Sequence, residues 1–217
     1  MIISEQKPFS EILEYLKSYT RIFLIGCGEC ATVCNVGGEK EIAKIKQDLE
    51  ASGKTVVGWA IPQSGCVAAK IKTELAKNIK ALKDTEAVLV MSCGLGAQSL
   101  KDNDRLGLAV IAGCNTLCGA LMDSQGNLLE KCSMCAECVL NETGGICPVT
   151  LCPKSLLNGP CGGMDKGKCE VDRERDCAWV LIYKEMEKKG RLNDFKKIKG
   201  PKDHAKSRKP HKILMAK

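Results

Sequence analysis

Fifteen cysteines in 217 residues, many separated by only two to four positions, constrain this chain more than any other feature. A secreted disulfide scaffold is usually shorter and opens on a leader with a long apolar segment. Residues 1–7 (MIISEQK) contain no such segment, and the cysteine count is odd. Thiols in this number and spacing point to a reducing compartment, the cytoplasm, and to metal or redox chemistry. No apolar run reaches the roughly 18 residues of a membrane span. Three Phe, three Tyr and two Trp are too few for a nucleic-acid reader built on stacked aromatics.

The first part of the chain alternates between two periods. Apolar runs at 21–27, 55–61, 87–93 and within 106–114 read as buried strands. Helical spacing at 8–19, 39–51 and 68–82 separates or precedes them. Strand–helix alternation predicts an α/β domain over 1–120 with a parallel, Rossmann-like sheet. Past Leu121 the periodicity stops at the turn signal Asp123-Ser124-Gln125-Gly126-Asn127. Residues 121–190 read as a small, irregular Cys-rich domain closed by a helix over 173–189. A segment so poor in apolar residues needs something other than a core to staple it.

Residues 191–217 read as a basic tail. Within 184–217 there are 13 Lys and Arg against 4 Asp and Glu, a net of +9 where the whole chain carries +7. Leu192, Phe195, Ile198, Ile213, Leu214 and Met215 form no continuous stripe, so the tail is expected to order on a partner rather than on its own chain.

In open α/β sheets, ligands bind beyond the carboxyl ends of the strands. The seven cysteines of the first part follow the four strand runs: Cys27, Cys30 and Cys34 the first, Cys66 the second, Cys93 the third, Cys114 and Cys118 the fourth. Three readings compete. Gly26-x-Gly28-x-x-Ala31 has the spacing of a dinucleotide fingerprint, but no acidic residue ends the second strand to take a ribose hydroxyl. Cys27 and Cys30 could form a C-x-x-C dithiol pair, which leaves Cys34, Cys66 and Cys93 unexplained. A metal or iron–sulfur site would use Cys27, Cys30 and Cys34, with Cys66 or Cys93 as fourth ligand. Cys114 and Cys118 also fit small buried hydrophobes.

In the second part, Cys132, Cys135 and Cys138 stand at C-x2-C-x2-C spacing, followed by Cys147-Pro148. This resembles the ferredoxin arrangement, in which three close thiolates and one remote one hold a cubane, although the last gap is longer here. Cys152, Cys161, Cys169 and Cys177 make a second set of four. The expectation is two or more 4Fe–4S clusters, with zinc on the same thiolates as the alternative. The only histidines are His204 and His211, so no acid–base constellation accompanies the thiols.

Residues 152–189, with the motif NGPCGG at 158–163, are similar to the C-terminal domain of methylenetetrahydrofolate reductase. Together with GCGECATVCNVGGE (26–39) and SCGLGAQ (92–98), the chain resembles the small cysteine-rich subunit of that reductase in acetogenic anaerobes. The resemblance implies an electron-transfer subunit that is not itself the catalyst. It implies a large partner subunit carrying flavin and folate, and a carrier such as ferredoxin as electron source. It implies metal ligation by Cys27, Cys30, Cys34, Cys66 and Cys93 and by the eight cysteines from Cys132 to Cys177, as iron–sulfur clusters or as zinc.

Overall fold

A computed structural model describes residues 1–208. The elements run β1 (Ile2–Gln6), α1 (Phe9–Tyr15), β2 (Arg21–Ile25), α2 (Cys30–Val33), α3 (Glu39–Ala51), β3 (Thr55–Ala60), α4 (Ala68–Lys77), α5 (Ile79–Lys83), β4 (Ala87–Val90), α6 (Gly94–Asn103) and β5 (Ala109–Ala112). They continue with β6 (Cys114–Met122), β7 (Leu128–Cys132), α7 (Pro148–Leu151), α8 (Ala178–Lys188), a 3-10 turn (Leu192–Lys196) and α9 (Ala205–Arg208). The chain divides into two compact units, Met1–Cys118 and Gly119–Lys217, the division falling inside β6.

The expected parallel sheet forms in the first unit, in the order β3-β2-β4-β5. The central strands β2 (RIFLI) and β4 (AVLV) are buried on both faces, which is why they read as unbroken apolar runs. Alternation along β2 and β4 sorts their side chains. Ile22, Leu24, Ala87 and Leu89 join Ile12, Leu16, Ile42, Ile45 and Leu49 of the α1 and α3 region on one face. Phe23, Ile25, Val88 and Val90 join Ile71, Leu82 and Leu100 of α4, α5 and α6 on the other.

Helix α3 shows how locally this is specified. Ile42, Ile45 and Leu49 fall on one face. Glu41 Oε2 accepts the orphan N–H of Gly38 at 3.0 Å, and Gly53, at φ 85, lets the chain leave in the left-handed region.

Several elements differ from the sequence expectation. The helix expected over 68–82 is two, broken at Asn78, whose side-chain Nδ2 donates to Glu74 O at 2.9 Å. The closing helix begins at Ala178 rather than near 173, because residues 172–177 are held in turns: Glu174 N donates to Asp172 Oδ1 at 3.1 Å and Cys177 N to Gly167 O at 2.8 Å. Strands β1, β6 and β7 were not expected. They form a separate sheet in the order β1-β6-β7, with β6 and β7 antiparallel.

Candidate functional site: two groups of thiols

In the first unit the order β3-β2-β4-β5 makes the gap between β2 and β4 the point where the winding reverses. The loops leaving those two strands carry Cys27 and Cys93. The glycines there serve backbone packing. A Cβ on Gly26 would overlap the Gly37 carbonyl, and one on Gly37 would overlap the Met91 carbonyl. Gly26 of the fingerprint spacing therefore has a structural cause in the folded chain, whereas a Cβ on Gly28 would make only ordinary contacts.

Cys27 is buried, and its sulfur accepts the Gly65 N–H at 3.4 Å. Cys66 follows Gly65. Burial pushes its thiol upward, and Cys93, Cys27 and Glu29 add to the effect, so these groups lie within electrostatic reach of one another. Cys30 and Cys34 bracket β1: Ile2 N donates to Cys30 Sγ at 3.4 Å, and Cys34 Sγ donates to Ile2 O at 3.7 Å. Cys114 is pushed up to about 12 by burial first, then by Cys93 and Cys34. Cys114 and Cys118 belong to β6 rather than to a loop past a strand end, and Cys114 is part of the apolar core.

In the second unit, Cys132 ends β7 and Cys138 is exposed, with Cys135 half-buried between them. Met134 (φ 52) and Ala136 (φ 60) hold left-handed backbone on either side of Cys135. Non-glycine residues adopt that region where the surroundings demand it. Met134 N donates to Cys132 Sγ at 3.4 Å. Cys147 caps the short helix α7, with Thr150 Oγ1 3.7 Å from its sulfur.

The second set of four converges most clearly. Cys152, Cys161, Cys169 and Cys177 all line one cavity of about 20 Å³, whose wall also includes Trp179, Met164 and the ion-paired Lys154 and Glu170. All four donors are thiols, the soft ligand type selected by zinc and by iron–sulfur clusters. The donor type of the set suits such a group. Among the described residues, no three or more His, Cys, Asp or Glu side chains are drawn in tightly enough to hold a single ion.

Residues 111–205 match the family described as methylene-tetrahydrofolate reductase C terminal. The match contains the eight cysteines from Cys132 to Cys177, so the likeness first read on residues 152–189 extends over the whole second set of thiols. No curated protein matches the chain. Residues 1–110 lie outside the reductase-type segment.

The reductase-type segment also holds the part of the tail that was expected to wait for a partner. Phe195 packs on its own unit, its ring centroid 6.2 Å from those of Trp179 and Tyr183. Trp179 Nε1 donates to Leu156 O at 3.1 Å. Further along, Lys199 Nζ meets Glu142 Oε1 at 3.0 Å, and Lys202 Nζ meets Cys135 Sγ at 2.9 Å. The hydrogen bond from the Lys202 ammonium, and after it the backbone at Glu137, hold the Cys135 thiol below its ordinary value. Sequence reasoning gave Lys202 no role. Nothing local marks it among so many lysines. His211, Ile213, Leu214 and Met215 lie outside the described residues.

Proposed function

We propose that this chain is the electron-transferring subunit of a methylenetetrahydrofolate reductase complex. Electrons from a carrier such as ferredoxin pass through its Cys-ligated groups to flavin in a large partner subunit, which reduces methylene- to methyl-tetrahydrofolate. The observation that carries this reading is the gathering of Cys152, Cys161, Cys169 and Cys177 around one cavity inside the reductase-type segment. An iron–sulfur cluster, when bound, supplies a one-electron carrier whose potential follows its charge, its N–H···S bonds and its exposure. The protein supplies the thiols, the indole of Trp179, and backbone turns at Gly159 (φ 76) and Gly162 (φ 84) that place Cys161 on the cavity wall. The strand-end thiols Cys27, Cys66 and Cys93, with Cys30 and Cys34, form a second candidate metal locus. The setting is cytoplasmic on this reading, and among the described residues no helix is long and apolar enough to cross a membrane.

A second reading has its own support. A cavity of about 20 Å³ has room for one atom-sized guest, and four thiols around it also suit a structural zinc ion. The chain would then dock and stabilise the large subunit without carrying electrons.

Anaerobic metal and acid-labile sulfide analysis of the purified chain tests both. Electron transfer predicts about eight iron atoms per chain or more, with matching sulfide, if each set of four thiols holds a cubane. Tightly bound zinc with no acid-labile sulfide would overturn it in favour of the scaffold.

A further inference from the structure

The segment from Lys199 to Lys206 runs back along the loop that carries Cys135 and Cys138, and both its ends are pinned. Lys199 N donates to Asn158 Oδ1 at 2.7 Å, and Asn158 Nδ2 returns a bond to Lys199 O at 2.8 Å. Lys199 Nζ reaches Glu142 at 3.0 Å. Asp203 N donates to Glu137 Oε2 at 2.9 Å, and Lys206 Nζ lies 3.8 Å from Glu137 Oε1. Between these anchors Lys202 points inward. Its ammonium donates to Cys135 Sγ at 2.9 Å and to the Glu137 carbonyl two residues on.

A lone surface lysine beside a thiol would carry little meaning, since exposed charge pairs are worth about 0–1 kcal/mol and are loosely held. Lys202 differs because the strap around it is fixed at residues 199 and 203. The entropy of ordering its backbone is spread over several other bonds. The loop it meets is fixed as well, with Met134 and Ala136 in left-handed backbone around Cys135.

We propose that Lys202 is a positioning residue for the Cys132–Cys135–Cys138 loop, where it orients the Cys135 sulfur and supplies a compensating positive charge to a metal group held there. The inference rests on the reading that these thiols bind metal. A thiolate-ligated group is anionic, and it becomes more so on reduction. A cation that donates N–H···S to one ligand stabilises the reduced form and raises the potential. For zinc, which does not change oxidation state, the same contact holds the thiolate in place against exchange.

The test uses the full-length chain prepared anaerobically, with the variants K202M and K202R. If the wild type holds iron and sulfide, redox titration followed by EPR is the readout. K202M is expected to make reduction of one cluster about tenfold less favourable, a fall of about 59 mV for one electron. Its iron content stays unchanged, any other cluster serves as internal control, and K202R recovers most of the shift. If the wild type holds zinc, K202M is expected to release it to a chelator about tenfold faster, with K202R near wild type. Full metal content with an unchanged potential or release rate in K202M overturns the inference alone. Loss of metal in K202M but not in K202R supports it, and loss in both overturns it, since shape rather than charge would then matter. A wild-type chain that takes up neither iron nor zinc overturns the inference together with the reading beneath it.

Discussion

The first unit separates two apolar layers by a parallel sheet, and residues such as Leu24, Leu49 and Leu89 have no exposed surface at all. In the second unit the buried cluster is Cys177, Trp179, Ile182 and Met186, extended by partly buried neighbours such as Phe195 and Leu156. Two of those residues, Cys177 and Trp179, also line the four-thiol cavity. The first unit can therefore keep its shape by burying side chains, while the second has its candidate ligands built into the little core it has. Metal and fold are expected to be separable in one and inseparable in the other.

Stripping metal should break the comparison most sharply. Structural metal binding in small domains is worth on the order of 10 kcal/mol or more of folding energy. Chelation of the purified chain should abolish amide protection across residues 119–208 and leave β2, β4 and their flanking helices protected. Equal loss in both units would show that the first also depends on metal.

Trp179→Ala comes next. Deleting a buried Trp costs about 3–5 kcal/mol, and here it also removes the bond to Leu156 O and the packing of Phe195. The variant should lose metal and protease resistance in the second unit, with the unfolding of the first unchanged. Leu89→Ala is the mirror experiment, at about 2–5 kcal/mol. Denaturant melts should show a destabilised first unit, while metal analysis of the second unit's thiols stays at the wild-type level.

The smallest effect concerns Cys114, whose thiol is pushed up to about 12 from an ordinary 9.0. The folded state keeps this proton at a pH where the unfolded chain has lost it. Stability is therefore unaffected below pH 9 and falls as pH rises from about 9 toward 12, by roughly 1.4 kcal/mol per unit. Urea melts at pH 8 and pH 10 should show this loss in the wild type and a shallower one in Cys114→Ala. An identical slope in both would place the titrating group elsewhere.

How much was legible follows the same division. Strands β2 and β4 could be read because burial on both faces writes an unbroken apolar run, and the partly buried edge strands β3 and β5 still carry enough apolar residues to be seen. The reductase likeness could be read because NGPCGG and the spaced cysteines are local in sequence. Strands β6 and β7 were missed although their turn was seen. Asp123 Oδ1 accepts from Gln125 N and Asn127 N, each at 2.9 Å, and closes a hairpin. Its arms are mostly exposed, so no buried face imposes an alternation to detect. Within the tail, Phe195 was misplaced for a related reason, while Ile198 stays exposed as expected. Phe195 needs only the two rings of Trp179 and Tyr183 to pack, and a single residue leaves no periodic trace.

By itself the sequence determined the parallel sheet and the reductase likeness of residues 152–189, because each is carried by neighbouring residues whose spacing is fixed by the chain. Only the tertiary structure decided which thiols share a cavity and which partners the others find. Cys152, Cys161, Cys169 and Cys177 reach one cavity through glycine turns and the start of α8, and Cys30 and Cys34 meet β1 at Ile2. Lys202 finds Cys135 across 67 residues. Such contacts depend on where loops close. That is set by the summed packing of residues far apart, and no local pattern records it.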